Sequence, residues 1–115
     1  MSTTPSSITI PRHGWSEFPQ SFSRRHYRRH VKLEIHDLKT GERVVSHETP
    51  LQSIELDLED EKNPRINVTV ELDNKVIKHI LFQPSQLVLH RSGEALRIHS
   101  VNTVTTVRLC EVAHV

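Results

Sequence analysis

From Val31 to Val112 apolar and polar residues alternate in segments of five to nine residues. That period of two suits strands with one buried and one solvated side, so the chain is read as mainly β. Val31, Leu33 and Ile35 face one way and Lys32, Glu34 and His36 the other, and Leu38 to Gly41 supplies a turn into Val44 and Val45. Pro50 removes a ladder donor and predicts a kink or edge before Ile54, Leu56 and Leu58. The outward neighbours Glu55, Asp57 and Glu59 lead into Asp60 and Glu61, giving an acidic strand and loop.

Asp73 and Asn74 form a two-residue turn of the kind that tolerates positive φ, which writes the register of a hairpin from Arg65 to Phe82. Leu72 should oppose Lys75, Val70 Ile77, Val68 His79 and Ile66 Leu81, leaving His79 semi-buried on an apolar face. After Pro84 a three-strand meander follows through Leu87 and Leu89, Leu96 and Ile98, and Thr105, Val107 and Leu109. Its other face collects Val88, His90, Arg97, His99, Thr106 and Arg108 and is basic. A slip of one residue would invert both faces.

Residues 1–11 hold Ser, Thr and Pro with two Ile and read as a flexible lead-in. A helix is predicted next, with Ser16 as cap, Pro19 in the first turn and an end near His30. Trp15, Phe18, Phe22 and His26 form its apolar stripe, Arg24 and Arg28 point away, and Arg25 and Arg29 flank it. The expected fold is α+β and mainly β: an N-terminal helix followed by about eight short antiparallel strands, in a small barrel or a strongly bent sheet. At 115 residues, 12–115 form one domain. A lone Cys110, with no charged-then-apolar leader and no long apolar run, places the expectation in a reducing cytoplasm without a membrane.

Charge is sorted along the chain. Arg12 to Lys32 carries six Lys/Arg against Glu17, and Leu33 to Glu61 carries nine Asp/Glu against Lys39 and Arg43, inside a total of +1. Such sorting shapes what a surface attracts.

Motifs for chemistry are missing. Gly14, Gly41 and Gly93 stand alone, so no phosphate loop or dinucleotide fingerprint exists, and there is no Gly-x-Ser-x-Gly elbow. Cys110 lies late in the last strand, where a structural thiol is the commoner role. No pair of acid and base groups is recognisable, so neither an enzyme nor a cofactor is indicated, and no small-molecule substrate either. Among nine His, His26 and His30 have the helical spacing for one metal ion. Tyr27 takes the place of a zincin glutamate, however, and Arg25, Arg28 and Arg29 oppose a cation, so they are noted only as candidates. The acidic run Glu55, Asp57, Glu59, Asp60 and Glu61 lacks the oxygen pattern and Gly of a calcium loop.

The positive signal is Ser23-Arg24-Arg25-His26-Tyr27-Arg28-Arg29-His30. Arginine forks suit phosphate oxygens, and Tyr27 offers a ring for stacking. With Arg97, Arg108, His90 and His99 on the same side, the footprint would be continuous. A nucleic acid is one occupant, but a pI near 8.0, the acidic block and 4% aromatic residues weigh against a stacking platform. A protein partner or self-association is preferred, because blocks of opposite sign invite pairing within the chain or between copies.

The pattern His13-x-Trp15-x-x-Phe18-x-x-x-Phe22-Ser23-Arg24-x-His26, followed by alternating strands, Phe82-x-Pro84 and Leu96-x-Ile98, resembles a family of small bacterial proteins classed as a domain of unknown function. The resemblance spans residues 12–112 and implies a bacterial, cytosolic protein without an assigned activity. Pro19 and the doubled Arg pairs depart from the more acidic helix of that family. The reading is a non-enzymatic binding domain, with a nucleic-acid barrel and a His-based metal protein as alternatives.

Overall fold

A computed structural model describes residues 6–110. Nine strands form one antiparallel sheet: β1 (Ser7–Ile10), β2 (His30–Asp37), β3 (Arg43–Val45), β4 (Thr49–Asp57), β5 (Arg65–Leu72), β6 (Lys75–Phe82), β7 (Gln86–His90), β8 (Ala95–His99) and β9 (Thr103–Leu109). Their order is β1-β7-β8-β9-β2-β4-β5-β6, with β3 beside β2 off this path. The meander β7–β9 and the hairpin β5–β6 follow from short local turns. Every pairing expected for the hairpin is present, from Leu72 with Lys75 to Ile66 with Leu81. Asp73 and Asn74 both take the left-handed φ that its two-residue turn requires, 51° and 63°.

What bends the sheet is β4. Its first residues, Thr49 and Pro50, pair with Val31 and His30 of β2, and from Leu51 to Asp57 it pairs with β5, the register of that ladder shifting between Leu51 and Ser53. The strand therefore serves two halves of the sheet, and the change of partner after Pro50 lies next to that irregularity. β3 takes the rest of the same β2 edge, opposite Glu34 to His36. Ser46 holds the link between them, its N–H donating to the Leu33 carbonyl and its Oγ accepting from the Leu33 N–H, both at 2.9 Å.

Curling gathers the inward residues. Val31, Leu33, Leu51, Ile54, Ile66, Val68, Leu87, Leu96, Ile98 and Val107 are sealed from solvent in one cluster that also holds Trp15 and Phe22. The sheet does not close into the barrel that was one expectation. Its ends, β1 and β6, are unpaired with each other, and the inner side is instead covered by α1 (Phe18–Arg25) and by Trp15, whose indole N–H donates to the Ile10 carbonyl at 3.0 Å. Bending, rather than closure, satisfies the hydrophobic side.

Three expectations are corrected. Residues 7–10, read as lead-in, form β1 against β7, so a strand precedes the helix. The helix starts at Phe18 without a side-chain cap from Ser16 and stops at Arg25 rather than near His30. Its early end has a cause: Arg28 adopts φ 65°, its N–H donates to the Leu51 carbonyl at 2.7 Å, and the Leu51 N–H returns to the Arg29 carbonyl at 2.9 Å. The sheet thus captures the backbone that would have continued the helix. Pro19 does lie in the first turn, as its missing N–H permits. Leu58, expected inward, lies beyond the end of β4 and is 50% exposed.

Deleting side chains on the two sides of this boundary separates core from loop. Ile54→Ala should cost about 2–5 kcal/mol and Leu58→Ala under about 0.5 kcal/mol in urea unfolding. Similar losses at both sites would show that the inward stripe of β4 runs past Asp57.

Candidate binding face

The same alternation that buries one side of β1, β7, β8, β9 and β2 projects a second set of side chains outward. Pairings place them in rows across the sheet. One row reads Thr9, Val88, Arg97, Thr106, Glu34 and Val45. A second reads Gln86, His99, Val104, His36 and Arg43, and a third brings Ala95, Arg108 and Lys32 side by side, with His90 opposite Ser7 at the near end. Four fixed cations, Lys32, Arg43, Arg97 and Arg108, and three imidazoles therefore share a face with one carboxylate, Glu34.

Glu34 is engaged: Arg108 Nε donates to its Oε2 at 2.9 Å. Both side chains are well exposed, so the contact orients Arg108 more than it stabilises the fold. Arg43 and Arg97 make no ion pair among the described residues. His99 is held toward its neutral form by burial, assisted by the neighbouring Arg97 guanidinium. His90 accepts at Nδ1 from the Ser92 N–H at 3.2 Å, which puts the proton of the neutral ring on Nε2.

Two hollows open on this face. The larger, about 440 Å³, runs between β3 and the outward residues of β2, β9 and β8, and is lined by Glu34, His36, Arg43, Arg97, His99 and Arg108 together with Val44, Val45 and Val104. A smaller one of about 140 Å³ lies toward β1, between Ser7, His90 and Val88. Arg97, Thr106 and Arg108 line both.

Expected site residues are thus divided. Arg97, Arg108, His90 and His99 do share the outer face. Arg24, Arg25 and Tyr27 are exposed on and just after α1, on the inner side of the sheet. Arg24 and Arg25 stand in the last helical turn, where positive charge is favoured by the helix dipole. Arg28 approaches Glu71 at 3.9 Å, and the Arg29 guanidinium donates to the Cys110 carbonyl at 3.3 Å, where the two sides meet at the end of β9. Lys32, Glu34, His36 and Arg43 were missed as members of the face. The outward phase of Lys32, Glu34 and His36 on β2 was legible, but the adjacency of β2 to β9 was not, and Arg43 on β3 had no assigned phase.

The acidic group lies on the other half of the sheet and does not receive the helix arginines. Glu55 sits opposite Asn67, while Asp57 pairs with Arg65 at 3.2 Å and accepts from Asn67. Asp60 accepts from the Asn63 amide and the Lys62 N–H, and Glu59 and Glu61 are exposed in the same loop. Hydrogen bonds hold Asp57 and Asp60 below the ordinary carboxylate range, led by the Glu59 N–H and the Asn63 amide respectively.

His26 and His30 do not share a helix face, because the helix ends at Arg25 and His30 opens β2. His26 instead packs its ring 4.8 Å from Phe22, and His30 approaches Glu48 at 3.9 Å. No three His, Cys, Asp or Glu among the described residues are placed to hold a metal ion. Burial and the nearby Glu48 raise the Cys110 thiol, the opposite of an activated nucleophile. No helix among the described residues is long and apolar enough to cross a membrane.

His26, His79 and His99 are all held below the ordinary imidazole value, burial being the leading cause in each. Between that folded value and the unfolded one of about 6.5 the unfolded chain binds more protons, so stability is complete above the window and is lost as pH falls through it. The urea midpoint should therefore drop between pH 7.5 and 5.5, and His79→Gln, at the ring shifted by burial alone, should flatten part of that slope. A midpoint that holds or rises over this range contradicts the assignment.

No curated protein and no solved structure matches the chain. A family model described as "Family of unknown function (DUF5335)" matches residues 6–111, which takes in the Trp15 to His26 motif and all nine strands of the sheet. By that match the chain belongs to the DUF5335 family.

Proposed function

We propose that the chain is a non-enzymatic binding domain that receives an acidic protein segment on the outer face of β1, β7, β8, β9, β2 and β3. The observation that carries this is the grouping of Lys32, Arg43, Arg97 and Arg108 around a single, already engaged carboxylate. Rigid strands fix these cations in rows, so a complementary surface meets them without first ordering a loop. None of His26, His30, His79 and the acidic run lines either hollow of the face, which favours binding over acid–base chemistry. The second reading is self-association, favoured by the acidic Glu55 to Glu61 stretch on the other half, which offers a second copy a surface of opposite sign. A nucleic acid is less well supported, because no Phe, Tyr or Trp ring stands in the rows.

Anisotropy with a fluorescein-labelled oligoglutamate peptide tests the reading, with a single-stranded oligonucleotide of equal length beside it. The peptide should bind, and Arg97→Glu with Lys32→Glu should weaken it by about tenfold or more, since like charges then face each other. Arg24→Glu with Arg25→Glu should change affinity little. Loss of binding in the helix variant alone moves the site to α1 and overturns the proposal. Oligonucleotide binding tighter than the peptide's, with the steep salt dependence of counterion release, overturns it in favour of nucleic acid.

A further inference from the structure

β6 ends the sheet: it pairs with β5 on one side and with no other strand among the described residues. Two hydrogen bonds show which of its backbone groups are left open. The Gln83 N–H donates to the Pro64 carbonyl on the β5 side, and the Phe82 carbonyl accepts from the Val101 N–H on the opposite side. Direction alternates along an antiparallel strand, so Ile77, His79 and Leu81 turn their N–H and C=O groups to β5, whereas Val76, Lys78 and Ile80 turn theirs to the open edge. The Asp73–Asn74 turn bounds this stretch at one end and Val101 at the other.

Side chains follow the same alternation. Ile77, His79 and Leu81 oppose the core residues Val70, Val68 and Ile66, so Val76, Lys78, Ile80 and Phe82 project from the outer side. Val76, Ile80 and Phe82 are 68%, 41% and 53% exposed, while their outer neighbours on β5 are Glu71, Asn67 and Arg65. Apolar surface on this half therefore collects on the strand that lacks a neighbour. Soluble proteins blunt sheet edges by shortness, bulges, proline or charge. β1 and β3 are short, with four and three residues, but β6 runs for eight in unbroken register and its fixed charges are Lys75 and Lys78 alone.

These properties select the occupant. The open stretch from Val76 to Ile80 admits an added strand of about five residues. A second copy centred on it would set Lys78 against its own counterpart, a like-charge pair directly across the ladder. A carboxylate there makes an opposite-charge pair instead, and aliphatic side chains two residues to either side lie against Val76 and Ile80. We infer that the open edge of β6 is a strand-addition site for an extended segment of a protein partner, paired antiparallel, with an acidic residue opposite Lys78 and aliphatic residues opposite Val76 and Ile80. This goes beyond the basic-face reading, since it lies on the other half of the sheet and uses none of Lys32, Arg43, Arg97 and Arg108.

Titration of the isotope-labelled full chain with the peptide acetyl-Val-Thr-Glu-Thr-Val-amide, followed by amide NMR, tests this. The N–H signals of Val76, Lys78 and Ile80 should shift and gain protection from exchange, while those of Arg97 and Arg108 stay in place. Methylating the backbone nitrogen of the peptide's Glu, whose N–H faces the Lys78 carbonyl, should weaken binding by about tenfold or more. The same change at the preceding Thr, whose N–H points away, should weaken it far less. Lys78→Glu should reverse the preference, so that a peptide with Lys in place of its Glu binds better, and Arg97→Glu should leave affinity unchanged. Absence of shifts at β6, equal losses from the two methylated peptides, or an unaltered preference in Lys78→Glu overturns the inference. Dimerisation through β6 that the peptide displaces, seen by sedimentation, gives the edge to a second copy and overturns it as well.

Discussion

A half-buried strand can satisfy only one of its two sides with a core, and in this chain nearly everything else depends on how that side is satisfied. The sheet curls at β4, which pairs with β2 through Thr49 and Pro50 and then with β5, beside the shift between Leu51 and Ser53. Curling brings Ile54, Ile66 and Val68 of one half against Leu33, Leu96 and Val107 of the other. The remaining side chains are then forced outward in fixed rows. The charged face is a by-product of core formation, set by the same register.

Long-range charge sorting in the sequence becomes a different sorting in space. The basic block at Arg12 to Lys32 and the acidic block at Leu33 to Glu61 do not dock on each other. Arg24 and Arg25 serve the end of a short helix, Asp57 pairs with Arg65, and Glu34 is answered by Arg108, far along the chain. The basic face draws its fixed cations equally from two distant stretches, Lys32 and Arg43 on β2 and β3 and Arg97 and Arg108 on β8 and β9. Charge carried along a sequence is therefore a poor guide to a surface when the elements that carry it fold to opposite sides of one sheet.

What was legible was what local turns specify. Asp73 and Asn74 fixed the hairpin register residue by residue, and the alternation in β7, β8 and β9 placed Arg97, His99, Thr106 and Arg108 together. Non-local placement was not legible. No turn links β9 to β2, so Lys32, Glu34 and His36 could be assigned a phase but not a neighbour. The helix was read too long because its apolar stripe continues to His26, while the competing bond from Arg28 to Leu51 depends on β4 lying beside it. β1 escaped notice because Ser7 to Ile10 is too short for alternation to stand out, and only its pairing with β7 makes it a strand. Of the site, the arginine and histidine residues of the meander were found, and the β3 wall was not.

One register divides core from binding face, and single cysteines along β9 test that division most directly. In a Cys110→Ser background, cysteines at Val104, Thr106 and Arg108 should react rapidly with a water-soluble thiol reagent, while those at Thr105 and Val107 should react only on unfolding. Uniform reactivity, or the opposite phase, would contradict the division on which the outer face and its hollows depend.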